Sequence, residues 1–144
     1  MASPARLKPR VAAAALAKDP AFAPWVERIG PVRIPRLEDP PFAYLVRAIC
    51  HQQLAGAAAR TIHRRFVEAL GGDVNPDSVL SASEQASRGA GLSAAKLAAV
   101  RDLAEKVDAG EVRLDDLDRQ HDDEVVRRLT RVRGIGEWTA QMFL

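Results

Sequence analysis

The stretch RVRGIGEWTAQMFL, residues 131–144, places Gly134 and Gly136 between a charged helical segment and an apolar one. Glycine adopts backbone conformations that other residues avoid, and it lets a second backbone come close. A helix that restarts after Gly136 offers unpaired N–H groups at its N-terminus, where the helix dipole favours an anion. The pattern therefore predicts two helices, over residues 121–131 and 137–144, joined by a tight glycine hairpin.

The residues around the glycines indicate what such a hairpin could bind. Ile135 can point inward and fix the turn, while Thr139 and Ala140 are small enough to allow close helix contact. A hairpin of this kind can bind a nucleic-acid phosphate without reading the base sequence. For a bare Gly-x-Gly, an ordinary corner between two helices with a glycine C-cap is the simpler interpretation. The longer string LTRVRGIGEWTA, residues 129–140, is far more specific than the two glycines alone.

The rest of the chain also reads as helical, because no segment shows sustained alternation of β-branched residues. Start and stop signals predict further helices: one over about 20–29, one from Pro41, one over about 55–70 that Gly71-Gly72 end, short ones from Asn75-Pro76 and from the capping-box pattern Ser81-x-x-Glu84, and a long one that Ser93 caps and Gly110 ends. We therefore expect an all-α fold. Residues 1–19 would form an N-terminal extension with a first helix, and residues 20–144 a helical domain.

Length and composition fit a small globular protein. The 144 residues are 47% hydrophobic and 28% charged, and no apolar run approaches the ~20 residues that span a bilayer. The apolar stretch at residues 11–17 is too short and weak for a signal peptide. A single cysteine excludes an intrachain disulfide, and no Cys/His cluster has zinc-ligand spacing. We expect a cytoplasmic monomer with no membrane association, metal or cofactor.

Basic residues are concentrated in the N-terminal part of the chain. Residues 1–66 hold 11 Lys and Arg against 4 Asp and Glu, whereas residues 67–144 hold 10 against 15. Arginine supplies 17 of the 21 basic residues, and its guanidinium suits bidentate phosphate contacts better than lysine does. A GC-rich genome also produces many arginines, so this feature alone does not establish nucleic-acid binding.

Three segments, in a consistent order, resemble one known family. The hairpin string resembles the helix-hairpin-helix signature of the DNA glycosylase superfamily, in its 3-methyladenine (alkylated-base) branch. The segment FAYLVRAICHQQLAGAAARTIHRRF, residues 42–66, resembles that branch's helix–Gln-Gln–helix segment, and GLSAAKLAAVRDLAEKV, residues 91–107, resembles the helix that precedes the hairpin. The resemblance covers the chain from about residue 20. It implies a multi-helix glycosylase domain with its hairpin motif at residues 121–144.

The resemblance also implies roles for particular residues. It implies that the hairpin binds a DNA phosphate through Val132, Gly134, Gly136 and Thr139. Gln53 or Leu54 would be the wedge that enters the minor groove. The walls of the flipped-base pocket would be Gln52, Trp138 and Met142. A wedge must offset an unstacking cost of a few kcal/mol. Structural alternatives stay open for the Gln-Gln segment, where Gln52 could simply cap a helix and Leu54 could belong to the core.

Trp138 bears on the type of reaction. Glycosylases of this family that also nick the strand have a lysine at this position, and its amine forms a Schiff base with the sugar, which tryptophan cannot do. The resemblance therefore implies a monofunctional enzyme that uses water. An indole suits a cationic alkylated purine by stacking and cation–π attraction, although Trp138 could instead be a core residue. Some relatives have another aromatic residue where this chain has Met142, whose adaptable thioether leaves the base preference open.

The family's catalytic aspartate, which stabilises the oxocarbenium-like sugar, lies a helix and a loop beyond the hairpin. The chain ends at Leu144, and none of its residues matches that aspartate, so no catalytic residue is assigned. We expect the C-terminal part of the glycosylase domain to be missing. We also expect residues 1–144 to be inactive on their own.

Three classes of function remain in competition. The first is a base-excision repair glycosylase that acts on double-stranded DNA with alkylated bases such as 3-methyladenine, the second a non-catalytic helix-hairpin-helix DNA-binding module, and the third a helical protein-interaction domain. The Gln-Gln segment favours the first over the second, because a simple binding module needs no wedge. The hairpin favours the second over the third. We interpret His51, His63 and Cys50 as ordinary surface or core residues.

Overall fold

The computed structural model describes residues 8–33 and 38–144. Within these ranges the chain is helical and contains no strand, which confirms the predicted all-α fold. The residues group into two compact units, one that ends at Glu38 and one that spans Asp39–Leu144. The predicted boundary between residues 19 and 20 stays a prediction, and residues 1–7 of the predicted N-terminal extension lie outside the described residues.

Nine α-helices follow one another in the described ranges. In chain order they are α1 (Pro9–Leu16), α2 (Ala23–Ile29), α3 (Pro41–His51), α4 (Gly56–Ala69), α5 (Pro76–Ser81), α6 (Glu84–Gly89), α7 (Ala94–Asp108), α8 (Asp122–Leu129) and α9 (Glu137–Phe143), with a 3-10 turn at Leu117–Arg119 before α8. In the described ranges no helix is both long and apolar enough to cross a membrane.

The first unit consists of α1 and α2. Pro9 and Pro24 stand in the first turns of these helices, where the fixed φ of proline suits the helix and its missing N–H costs nothing. Gly30, at φ +74°, ends α2 in the left-handed region that glycine adopts most easily.

The second unit opens with α3 and α4, which carry the Gln-Gln segment between them. The helix predicted from Pro41 is α3, and its helically spaced apolar side chains Phe42, Leu45, Val46 and Ile49 are buried. Burial of each such side chain stabilises the fold by roughly 1.5–3 kcal/mol. The two helices pack on each other, and α3 also packs on α7 and α4 on α6, so the core of this unit holds both helices that flank the Gln-Gln segment.

The capping box predicted for α6 belongs to α5 instead. The Asn75 side chain accepts a hydrogen bond from the Ser78 N–H at 2.8 Å, and the Asn75 N–H donates to the Ser78 hydroxyl at 3.1 Å. Ser81 is still helical, as the last residue of α5. Ser83 has the extended conformation that an N-cap requires and accepts from the Ala86 N–H, so the prediction from Ser81 was wrong by two residues.

Helix α7 is the central support of the second unit. As predicted, Ser93 caps it by accepting a hydrogen bond from the Lys96 N–H at 3.2 Å, and Gly110, at φ +72°, follows its end. Its buried residues pack against α3, α5 and α6: Leu97, Ala99, Val100, Leu103 and Ala104. One flank of α7 also reaches the turn between α8 and α9, and this contact sets the geometry of the hairpin.

Candidate nucleic-acid interface

The two hairpin glycines occupy different environments. Gly134 has φ +78°, and a Cβ added there would lie 2.9 Å from the Cβ of Ala99 on α7. Both the backbone conformation and the close approach therefore require glycine at this position. Gly136 has an ordinary extended backbone, at φ −86°, as the N-cap of α9, and a Cβ added there would meet nothing within 4 Å. The absence of a side chain at Gly136 is not needed for the fold.

Two buried side chains hold the turn. Val132 and Ile135 are buried, and the predicted inward position of Ile135 is confirmed. The Val132 N–H donates to the Leu129 carbonyl at 3.0 Å, and the Ile135 N–H donates to the Val132 carbonyl at 3.1 Å. Val132 was predicted as part of the phosphate site, and a phosphate contact through its N–H would have to compete with that internal hydrogen bond.

The exposed side of the hairpin presents backbone donors. Gly134, Gly136, Glu137 and Trp138 are exposed, and within the described residues none of their N–H groups is assigned an acceptor. Unpaired N–H groups that converge in a turn can bind an anionic oxygen. The turn thus combines a buried side that fixes its shape with an outer side that is open to a ligand.

An ion pair on α7 fixes the backbone of the turn. The Asp102 carboxylate accepts hydrogen bonds from the Arg133 N–H and the Lys106 ammonium, each at 2.7 Å, and Lys106 also donates to the Arg131 carbonyl at 2.7 Å. Burial alone would raise the pKa of Asp102, but these two donors together hold it below its ordinary value. Asp102 is therefore a charged anchor for the hairpin at neutral pH.

The Gln-Gln segment reaches the hairpin through its first residue. The Gln52 side-chain amide donates to the Gly134 carbonyl at 2.9 Å and lies 3.4 Å from the Thr139 hydroxyl. Behind it, the Lys96 ammonium donates to the Cys50 carbonyl at 2.7 Å, at the C-terminus of α3. The structure thus brings together residues that are more than 80 positions apart in the chain, and the sequence placed them in two different predicted sites.

The tip of the Gln-Gln segment is exposed. Gln53 has φ +55°, which is uncommon for a residue with a Cβ and marks local backbone strain. Leu54 is 40% exposed, so the alternative that it is a core residue is wrong. An apolar side chain at the end of a short, anchored loop is available to insert into a partner.

Two large side chains of α9 are also exposed. Trp138 is 73% exposed and Met142 is 58% exposed, so the alternative that Trp138 packs in the core is wrong as well. The end of α9 is nevertheless anchored to α3, because the Tyr44 hydroxyl donates to the Met142 carbonyl at 3.3 Å and the Tyr44 and Phe143 rings pack 5.5 Å apart. Exposed aromatic and thioether groups on an anchored helix suit a binding surface.

Three supporting residues were missed by the sequence analysis: Lys96, Asp102 and Lys106. The four-residue spacing of Asp102 and Lys106 indicates a helical ion pair, but no pattern in the sequence shows that this pair also binds the turn. Cys50 is buried, and burial raises the pKa of its thiol to about 11, which fits a core residue. In the part of the chain that the structure describes, no group of three or more His, Cys, Asp or Glu side chains could hold a metal ion.

Comparison with known proteins gives consistent matches. The family model HhH-GPD, described as the HhH-GPD superfamily base excision DNA repair protein, matches residues 46–142. That range contains both the Gln-Gln segment and the hairpin. DNA-3-methyladenine glycosylase 1 from Schizosaccharomyces pombe is 32% identical over 107 residues, which cover 72% of this chain and 47% of that protein. The chain thus spans about half the length of this relative.

Two solved structures share the fold. The DNA-3-methyladenine glycosidase from Bacillus halodurans superimposes with a TM-score of 0.80 and 34% identity, over 89% of this chain and 59% of that one. The S. pombe 3-methyladenine DNA glycosylase Mag1, in complex with abasic DNA, superimposes with a TM-score of 0.81 and 29% identity, over 92% of this chain and 68% of that one.

Proposed function

The chain belongs to the HhH-GPD superfamily of base excision DNA repair proteins. We propose that it functions as a DNA glycosylase that removes alkylated purines, such as 3-methyladenine, from double-stranded DNA. The hydrogen bond from Gln52 to Gly134 carries the proposal, since it joins the Gln-Gln segment to the hairpin. A binding module without catalytic function has no need of a wedge beside its phosphate site.

The proposed DNA contacts divide between the two regions. The exposed N–H groups of Gly134 and Gly136 bind a backbone phosphate, a contact that positions the protein without reading sequence. Leu54, with Gln53 beside it, enters the minor groove and fills the gap that the extruded nucleotide leaves. The wedge thereby offsets part of the unstacking cost of about a few kcal/mol.

The proposed base pocket lies along α9. The exposed indole of Trp138 stacks on a cationic alkylated purine, and Met142 and Gln52 complete the wall. Position 138 holds no amine, so a Schiff base cannot form there. The two lysines of the second unit, Lys96 and Lys106, already donate to main-chain carbonyls. Both facts support a mechanism in which water, rather than an enzyme amine, displaces the base from the sugar.

The carboxylates that contact the hairpin form hydrogen bonds that stabilise it. Asp102 binds Lys106 and the Arg133 N–H, and Glu137 accepts a hydrogen bond from the Gln141 amide at 3.0 Å. Stabilisation of developing positive charge by a carboxylate is a large catalytic effect, and loss of one such electrostatic group can cost ~100- to 1000-fold in rate. We therefore expect residues 1–144 by themselves to bind duplex DNA without releasing a base.

The test uses the natural protein in which residues 1–144 occur, incubated with methylated duplex DNA. We expect release of free 3-methyladenine in proportion to the protein added, an abasic strand that breaks only on alkaline treatment, and no covalent adduct with borohydride. A trapped adduct would contradict the water mechanism. Binding without release would favour a DNA-binding module, and no binding at all would favour a protein-interaction domain.

A further inference from the structure

Basic side chains lie close to both ends of the Gln-Gln segment, at the end of α3 and the start of α4. This basic cluster consists of Arg47, His51, Arg60, His63 and Lys96, contributed by α3, α4 and α7. The rings of His51 and His63 pack edge to face with their centroids 6.0 Å apart. The cluster is formed entirely by the second unit, and the hairpin does not contribute to it.

Two members of the basic cluster, Arg47 and Lys96, already have a polar or charged partner. Arg47 pairs with Asp39 at 2.8 Å and lies over the Tyr44 ring, and Lys96 donates to the Cys50 carbonyl. Arg60 differs, because within the described residues it has neither an acidic partner nor a hydrogen bond. Its guanidinium Nη1 lies 3.2 Å from the position that a Cβ on Gly56 would occupy, over the first turn of α4 and directly after the wedge loop.

The basic cluster repels added positive charge. Burial lowers the pKa of His51, and the nearby charges of Arg47, Arg60 and Lys96 lower it further. Burial also lowers the pKa of His63, as do His51 and Arg47, while Asp39 alone acts in the opposite direction. Since Asp39 is already bound to Arg47, little negative charge offsets the cluster, and an anion would relieve the repulsion.

We propose that Arg60 and His51 form a second phosphate site for DNA, beside the wedge loop and separate from the hairpin. This inference rests on the proposed function, because the ligand is a backbone phosphate of the same duplex. Arg60 supplies a permanent charge and a fork of donors that matches phosphate oxygens. His51, which directly precedes Gln52, adds a contact that depends on its protonation. Phosphates on the two sides of the wedge would then be held by different chemical groups.

Salt dependence gives the first test. Each phosphate contact contributes about −0.9 to the slope of log K against log salt, so Arg60→Gln should reduce the slope by about that amount. The affinity loss should then be about 3- to 4-fold greater at about 50 mM than at about 200 mM salt, and equal on undamaged and alkylated duplexes.

Arg65→Gln is the matched control, because Arg65 is an exposed arginine of α4 that also has no acidic partner among the described residues and lies outside the basic cluster. Equal slope changes in both variants would overturn the inference. Circular dichroism of Arg60→Gln must show the helix content of the wild type; if it does not, Arg60→Lys, which keeps the charge, should retain the wild-type slope.

Proton linkage gives the second test. A bound phosphate favours protonated His51, so the complex takes up a proton and duplex affinity should rise from about pH 8 to about pH 6, by at most about tenfold per pH unit. His51→Gln should flatten this dependence, whereas His121→Gln, at the N-cap of α8, should keep it. An unchanged pH dependence in His51→Gln would overturn the role of His51. If the wild-type protein bound no duplex, the proposed function would fail as well. If the wild-type protein bound duplex and the Arg60 and His51 variants bound it in the same way, this inference alone would fail.

Discussion

The hairpin and the Gln-Gln segment are held by the same helix in different ways. Helix α7 fixes the backbone of the turn along its length, with Ala99 against Gly134 and the Asp102 carboxylate on the Arg133 N–H. The Gln-Gln segment is held at its start, where Lys96 donates to the Cys50 carbonyl and the Gln52 amide donates to the Gly134 carbonyl. Beyond that point Gln53 is strained and Leu54 is exposed.

This difference matches two physical tasks. Backbone N–H groups bind a phosphate well only when the turn that carries them is already rigid, because ordering a loose turn would cost conformational entropy. A wedge needs an exposed apolar tip on an anchored base, since it must leave the protein surface to enter the duplex. Gln52 joins the two regions, so that the wedge and the phosphate site keep a fixed spacing.

The largest effect should come from Gly134→Ala. The substitution adds a Cβ at φ +78° and 2.9 Å from the Ala99 Cβ. The left-handed conformation costs about 1–2 kcal/mol and the overpacking about 1–3 kcal/mol, so the free energy of unfolding should fall by about 2–5 kcal/mol. Urea denaturation measures this fall. Gly136→Ala is the control and should change stability far less, and equal effects of the two substitutions would disprove the difference between the two glycines.

Next in size is the loss of the pocket wall on the hairpin side. Trp138→Ala removes an exposed indole, and excision of alkylated purines should lose about 1–3 kcal/mol of transition-state stabilisation, in the range of aromatic–base stacking. Single-turnover release of 3-methyladenine by the natural protein measures the loss. Trp25→Ala, at the other exposed tryptophan, is the control and should excise at the wild-type rate. A similar loss in both variants would contradict a pocket at Trp138.

A smaller effect should follow when the anchor of the turn is weakened. Asp102→Asn removes the charge that Lys106 and the Arg133 N–H share, and the free energy of unfolding should fall by about 1–2 kcal/mol at neutral pH. The pKa of Asp102 is lowered in the folded state, so its contribution is present above the unfolded value of about 3.9 and is lost as the pH falls through the folded value.

Urea denaturation at several pH values should therefore show wild type and Asp102→Asn converging in acid. Asp115→Asn is a suitable control, because Asp115 is exposed and, among the described residues, is paired only with Arg113. If the gap between wild type and Asp102→Asn were constant down to about pH 2, the carboxylate charge would not be what anchors the turn.

A feature of this structure can be predicted from the sequence when the residues that determine it are close together in the chain. The glycine hairpin, the Ser93 cap and the buried face of α3 follow from local spacing, and all three are present. The start of α6 was missed because serine is a good N-cap at either position, whereas Ser81 is the last residue of α5 and Ser83 caps α6.

Other features depend on contacts between distant segments. The contact of Gln52 with Gly134 and the anchoring role of Asp102 join residues that are 82 and 31 positions apart. The helical periodicity of the sequence does not predict such long-range contacts. The sequence analysis predicted the same role for Gly134 and Gly136, because the position of Ala99 on α7, which distinguishes them, is known only from the fold.

The smallest effect, and the most direct test of the phosphate site, is expected from Gly136→Ala. Its backbone is compatible with alanine and its surroundings are open, so the fold should be retained. The added methyl group would stand on the exposed side of the turn, where a phosphate must approach the N–H groups of Gly136 and its neighbours. Loss of one such hydrogen bond is worth about 0.5–1.5 kcal/mol, which corresponds to about 2- to 10-fold in affinity.

Because a phosphate contact carries no sequence information, the loss should be equal on undamaged and alkylated duplexes, as measured by titration of labelled DNA at fixed salt. Gly89→Ala is the matched control, since it adds a methyl group to another glycine with open surroundings, at the end of α6. Unchanged affinity in Gly136→Ala, with the unfolding free energy intact, would refute a phosphate site at the hairpin. A loss confined to alkylated DNA would instead place Gly136 at the base pocket, and the exposed side of the turn would then belong with Trp138 rather than with the DNA backbone.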